Sequence, residues 1–515
     1  MQTFWTKWRI GLACPAAALA ALLLLAAPAA ADVAMPNIFT EHMVLQQGQK
    51  NTVWGTAAAG EEIKVTIGEQ TQATAAGADG KWQVTLDPLP VGGPYTFTVK
   101  GQNEIKFSDV LVGEVWICSG QSNMQWSVNN STDADLERAA AKYPNIRLIT
   151  VPNVGTQEPQ DNFNGSWQHC TPETVGNFTA VGYFFGRQLH DTLDVPVGLI
   201  NNAWGGSACE AWIRRDLLAG ENYKPLMDRW LALEENYDKN VAEWQAAADK
   251  AKAEGKNPPP HPDGQMKGNH RPANIYNGAL KPTIGYGIRG AIWYQGESNA
   301  SRSYQYREMF PLMIKSWRDE WQQGDFPFFW VQLADFMAES PEPQESGWAE
   351  LREAQTMTMS KLPNTGEAVI IDIGEGKDIH PRNKVDVGKR LARLALGDVY
   401  GVANIATRSP IYKSMEKQDN KIVLSFEHVT GGWRPFDVNE PRGFAIAGDD
   451  KKFVWAQAKI LPDGKIEVWS DEVSQPASVR YAWANNPVCN MFSFAGLPLT
   501  PFRTDDWPGV TIDSK

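Results

Sequence analysis

DVLVGEVWICSGQSNMQW, residues 109–126, holds a nine-residue apolar-rich run, Val110 to Cys118, that stops at Ser119-Gly120. A continuous apolar run bounded by turn residues reads as a strand buried on both faces, the kind found in parallel sheets. Directly after it stands a serine between two amides, Gln121-Ser122-Asn123. A polar turn or a helix cap would account for one such serine; a nucleophile at a strand end would also account for it. The rest of the chain decides between them.

Similar runs recur downstream. VPVGLINNAW (195–204), IRGAIWYQG (288–296), PFFWVQLAD (327–335) and AVIIDIG (368–374) alternate with helical stretches such as VGYFFGRQLHDTL (181–193), YREMFPLMIKSWRDEW (306–321) and NKVDVGKRLARLAL (383–396). Apolar strands alternating with helices predict an α/β domain over 109–404, with a parallel sheet covered on both faces. Ligands of such sheets sit at the carboxyl ends of the strands. Residues 32–108 instead carry short alternating runs (NTVWGTA, EEIKVTIG, KWQVTLD, YTFTVKG) separated by turns, which predicts an N-terminal β domain. The same character returns over 405–515 (NKIVLSFEHV, GFAIAG, FVWAQAKI, KIEVWS, SVRYAWA) and predicts a C-terminal β domain. Both read as β-sandwich-like. Between about 215 and 272, the charged helical stretch WLALEENYDKNVAEWQAAADKAKAEGK and the breaker NPPPHPDGQ read as an insertion, a surface hairpin or lid.

The first 31 residues have a basic start (Lys7, Arg9), an apolar stretch and the small-residue end Ala29-Ala30-Ala31. That pattern is a secretory signal peptide cleaved before Asp32, and it predicts a periplasmic or secreted product. No later segment is apolar enough to span a bilayer. The chain is acidic, with a formal net charge of −12, and has no basic cluster, so nothing points to nucleic acid. Cys118, Cys170, Cys209 and Cys489 lie beyond the signal; an oxidising compartment permits disulfides among them, in any of three pairings. The 21 tryptophans are spread along the chain. Many belong in cores, and exposed ones suit the apolar faces of sugar rings.

Four of the strands end in polar clusters: Gly120-Gln121-Ser122-Asn123; Gly205-Gly206-Ser207; Gln295-Gly296-Glu297-Ser298-Asn299; and, after the last, Asp378 and His380. One sheet edge therefore offers a serine, a glycine turn, an amide and a histidine beside a carboxylate, the set that acyl transfer needs. Serine becomes a nucleophile when a base takes its proton, histidine is the usual base, and the tetrahedral intermediate needs donors aimed at its oxyanion. No GxSxG elbow surrounds Ser122, which disfavours the α/β-hydrolase version. Glu210 and Glu297 read more readily as loop-bracing carboxylates than as acids or bases.

On the segments EVWICSGQSNMQW (114–126), VPVGLINNAWGGSACEAWI (195–213), GAIWYQGESNA (290–300), DIHPRNKVDVGKRLA (378–392), RGFAIAG (442–448) and GLPLTPFRTDDW (496–507), the chain resembles the SGNH-type carbohydrate esterases, in particular the sialate O-acetylesterase group. The resemblance implies a flavodoxin-like three-layer hydrolase domain flanked by β domains, and a serine esterase that removes O-acetyl groups from carbohydrate. It implies Ser122 as nucleophile, His380 as base, and an oxyanion hole from Ser122, Gly206 and Gln295. The family's acid stands three residues before the histidine, where this chain has Lys377; Asp378, two before, is the candidate orienter, the alternative being a Ser–His dyad. Gln121, Asn123, Trp204, Glu210, Glu297 and Arg382 are the candidate substrate-binding residues. A sialate carboxylate would call for an arginine (Arg214, Arg215 or Arg382), and a neutral plant polysaccharide for tryptophan faces (Trp126, Trp204 or Trp212). No metal or organic cofactor is implied: there is no HExxH and no H-x₃₋₅-H. A non-catalytic carbohydrate-binding protein on the same fold is the reading from another class.

Overall fold

The computed structural model describes residues 32–514. The signal-peptide reading lies outside them. Among the described residues no helix is long and apolar enough to cross a membrane.

A mixed sheet organises the molecule. Across it run the strands Thr365–Ala368, Phe328–Val331, Gly290–Tyr294, Glu104–Gly120, Val197–Asn201, Tyr143–Thr150 and Gln168–Cys170. The first six are parallel and the last, an edge strand, is antiparallel. The predicted apolar runs are those strands: Val197–Asn201, Gly290–Tyr294 and Phe328–Val331 are buried at every position. AVIIDIG departs from expectation. Its strand ends at Ala368, and Val369, Ile370 and Ile371 leave the ladder yet stay buried, Val369 and Ile371 among the apolar side chains of the C-terminal sheets.

The central strand Glu104–Gly120 does two jobs. Its first half pairs antiparallel with Gly92–Lys100, in the sheet that also contains Glu62–Ile67 and Gln70–Ala75. Its second half lies between Val197–Asn201 and Gly290–Tyr294. The boundary expected at 108/109 thus falls inside one unbroken strand. The burial pattern records the change of role, alternating over Glu104–Asp109 and continuous from Val110 on.

Helices cover the faces. Ala180–Leu193 packs on Lys384–Leu394, where a Cβ at Gly388 would stand 2.6 Å from that of Phe184. On the other face Trp212, Trp293, Trp317, Phe310 and Phe328 build an aromatic core with edge-on contacts, such as Trp212 to Trp293 with centroids 5.4 Å apart. The insertion forms the helices Lys224–Glu235, Tyr237–Ala253 and Asp263–Met266. Beyond residue 405 lie two four-stranded antiparallel sheets. Among the described residues Cys118, Cys170, Cys209 and Cys489 are free thiols and make none of the three pairings open to them; Cys118, Cys170 and Cys209 are buried, and burial pushes the Cys170 thiol up to about 12.

Candidate active site

Ser122 owes its position to Gly120. That residue closes the central strand with φ +133°, and a Cβ there would stand 2.2 Å from the Tyr294 carbonyl. Only glycine admits so close an approach with that backbone. The chain then turns into a four-residue helix, Ser122–Gln125, tied back by the Gln121 N–H donating to the Tyr294 carbonyl at 2.9 Å. Ser122 is half-buried and its Oγ lies 2.9 Å from His380 Nε2. The serine and histidine, 258 residues apart in sequence, are thus within hydrogen-bond reach, the relationship that activates a serine.

His380 is held by packing as much as by polar contacts. Trp126 stacks on its ring, with centroids 4.7 Å apart and planes 12° apart. Asp378 sits differently from a buried triad acid. Its Oδ1 accepts the His380 backbone N–H at 2.9 Å and is 3.5 Å from Nδ1, and the side chain is 39% exposed. Burial and the charge of Lys384 hold the imidazole below the ordinary histidine range, against the opposing pull of Asp378. The neutral ring needed for a base is therefore favoured.

Two backbone donors face no acceptor: the N–H groups of Ser122 and Gly206 have no hydrogen bond among the described residues. Gly206 has φ +71°, and the Gly205-Gly206 turn lies beside Ser122, with a Cβ on Gly205 reaching within 3.5 Å of the serine Cβ. The end of the insertion supports this turn. Asn269 Nδ2 donates to the Gly205 carbonyl, and His270 Nε2 and Ser298 Oγ both bond the Gly206 carbonyl.

Gln295 requires a correction. It is fully buried, its Nε2 donates to the Ser207 carbonyl at 3.0 Å and to Asn299 Oδ1 at 2.7 Å, and its Oε1 accepts from Tyr306. Both amide hydrogens are engaged, so the side chain has none for an oxyanion. Three expected substrate contacts are likewise interior braces. Gln121 Oε1 accepts the backbone N–H groups of Gly296 and Ser298. Asn123 Nδ2 donates to Glu297 Oε1 and to the Ile379 carbonyl, joining the Ser122 turn to the His380 loop. Glu210 receives Arg302 and Asn299. All three are at most 3% exposed. Glu297 keeps a partly open stem but buries an unpartnered Oε2, and burial pushes its carboxyl up. Trp204 is half-buried and Arg382 exposed, so both can meet a ligand. Arg214 and Arg215 are paired with Asp216 and Glu320 and with Glu234, and Trp212 is core.

Sequence reasoning gave the lysine of DIHPRNK no role. Lys384 is fully buried; its Nζ donates to Asn123 Oδ1 at 2.6 Å and lies 5.3 Å from the Tyr294 ring centre and 5.9 Å from that of Trp126. Burial pushes its pKa down to about 7. The signal was its place one turn beyond the base, in a motif otherwise absorbed by the site.

A family model described as carbohydrate esterase, sialic acid-specific acetylesterase, matches residues 112–255 and 271–397. A sialate O-acetylesterase from Mus musculus is 31% identical over 514 residues, spanning 90% of this chain and 92% of the mouse protein. One from Homo sapiens is 28% identical over 515 residues, with 91% and 92% spanned. Among solved structures, a carbohydrate acetylesterase from Xanthomonas citri is similar at TM-score 0.80 and 36% identity, over 92% of this chain and all of that one.

Proposed function

The chain belongs to the sialic acid-specific acetylesterase family of carbohydrate esterases and is a carbohydrate O-acetylesterase, and on that premise we propose that it works through an acetyl-enzyme on Ser122. The observation that carries the mechanism is the 2.9 Å contact between Ser122 Oγ and His380 Nε2. His380 takes the serine proton as Oγ attacks the acetyl carbonyl carbon. The carbonyl oxygen becomes an oxyanion, stabilised by the Ser122 and Gly206 N–H groups. Collapse expels the sugar oxygen, which takes its proton from His380. Water, activated by the same histidine, then cleaves the acetyl-serine and releases acetate.

The domain is read as SGNH-type, flanked by β-sandwich-like domains, and the protein as exported to the periplasm or beyond. The substrate is an O-acetylated sugar of the sialate kind, a reading supported by Arg382, which is exposed two residues after the base and has no ion pair among the described residues. A second reading, a neutral acetylated plant polysaccharide such as xyloglucan or xylan, draws on the half-buried Trp126 and Trp204. Acetate release from a panel of acetylated sialosides, xyloglucan and xylan separates the two. Activity on sialosides that falls selectively in Arg382→Ala supports the first. Turnover of neutral polymers alone, unaffected by that change, overturns it.

A further inference from the structure

We infer that His42, Asp109 and His169 form a binding site for a divalent transition-metal ion, Zn²⁺ by ligand chemistry, far from the catalytic centre. His42 lies in the turn before the strand Val44–Gln46, Asp109 at the middle of the central strand, and His169 on the edge strand Gln168–Cys170. Asp109 is eleven residues before Gly120 on an extended strand, which places it about 35 Å from the serine turn.

Three donor atoms converge. His42 Nδ1 is 2.7 Å from Asp109 Oδ2, His169 Nε2 is 3.0 Å from the same oxygen, and the two ring nitrogens are 3.2 Å apart. Tetrahedral zinc with bonds of about 2.0–2.1 Å sets its ligand atoms roughly 3.3 Å apart. The triangle meets that spacing after opening by a few tenths of an ångström. Two imidazoles and a carboxylate are a zinc donor set, and partial exposure of all three side chains leaves room for water as a fourth ligand.

Protons alone serve this arrangement poorly. Asp109 Oδ2 also accepts from Arg147 at 2.8 Å. With both rings protonated toward it, one oxygen would take three donors while two N–H dipoles lay side by side. A cation at the triangle uses all three lone pairs and needs neither proton. The frame is already fixed. Arg147, 2% exposed, grips both carboxylate oxygens of Asp109 and donates to the His42 carbonyl, and Glu41 accepts the Asp109 backbone N–H. A guanidinium on a ligating carboxylate is an outer-shell partner that orients it. The bound ion would pin the N-terminal β region to the edge of the catalytic sheet.

The test is zinc titration of the EDTA-stripped full chain by calorimetry, with His169→Ala, His42→Ala and His380→Ala in parallel. The expected result is one site with Kd below about 10 µM, weakened at least tenfold in His169→Ala and His42→Ala and retained in His380→Ala, while acetate release by the first two stays at the wild-type level. Absence of a site in wild type, or loss of it in His380→Ala alone, overturns the inference. Should the two histidine variants misfold, the Co²⁺ spectrum of wild type decides: intense tetrahedral d–d bands support the site, and a weak octahedral spectrum overturns it.

Discussion

Trp126 lies flat on the imidazole of His380, with the two planes 12° apart. The indole shields one face of the base from water, and burial is the largest cause of its lowered pKa. Trp126→Ala opens that face, so the histidine pKa rises. The acidic limb of the pH profile of kcat/KM is expected to move upward, with kcat reduced roughly tenfold as the ring loses its seat. An unmoved limb would separate the stack from the proton chemistry.

Lys384 acts on the same limb through its charge. Its charge lowers the His380 pKa, so Lys384→Met also moves the limb upward. The change has a second signature. With its pKa at about 7 when folded and an ordinary value of about 10.4 when unfolded, the unfolded chain binds the extra proton between those values, and this group makes stability rise with pH there. Urea unfolding at pH 7 and pH 9 is expected to show that gain in wild type and lose it in Lys384→Met. Equal pH dependence in both would mean that Lys384 titrates normally.

The 3.5 Å separation of Asp378 Oδ1 from His380 Nδ1, on a side chain 39% exposed, predicts a dyad with an assistant. Asp378→Asn is expected to lower kcat by less than about tenfold, against the order of 10⁴ seen when a buried triad aspartate is lost. His380→Ala and Ser122→Ala should be almost inactive yet folded. Acetate release by the three variants in one assay decides; a collapse of Asp378→Asn to the His380→Ala level restores the triad.

Gln295 and Gly206 should part company. Gln295→Ala takes the side-chain donor from the Ser207 carbonyl, one of the two donors from Asn299 Oδ1, whose other donor is the Cys209 N–H, and an acceptor from Tyr306 OH, so about 2–3 kcal/mol of stability is expected to go. Gly206→Ala strains a turn at φ +71° and moves the N–H proposed to face the oxyanion, so kcat should fall about a hundredfold with KM little changed. Denaturant midpoints and steady-state kinetics read both. A fully stable Gln295→Ala that loses only kcat would return that amide to the oxyanion.

The strands, the helix alternation and the serine–histidine pairing were legible because burial on both faces leaves unbroken apolar runs, and because parallel strands bring their carboxyl ends together whatever their order. Depth within the site was not. Gln121, Asn123 and Gln295 carry the side chains of binding residues, and nothing in their neighbours says that they point inward, whereas the bracing role favoured for Glu210 is the one it plays. Trp212 and Trp126 look alike in sequence, yet one is core and the other seats the base. The cluster of His42, Asp109 and His169 has no fixed spacing, because its members come from a turn, a central strand and an edge strand.

The strand from Glu104 to Gly120 bears on how the molecule unfolds. A ladder that slips by one residue turns every side chain to the opposite face. Here one backbone, whose register against Gly92–Lys100 shifts between Phe107 and Val112, serves both the N-terminal sheet and the Ser122 turn, so disorder entering at Ile105 has a direct path along a single strand to Ser122. The two regions are then expected to melt in a single cooperative step, and a chain cut at residue 109 loses the pairing of Ile105 and Phe107 with the N-terminal sheet that anchors the front of that strand.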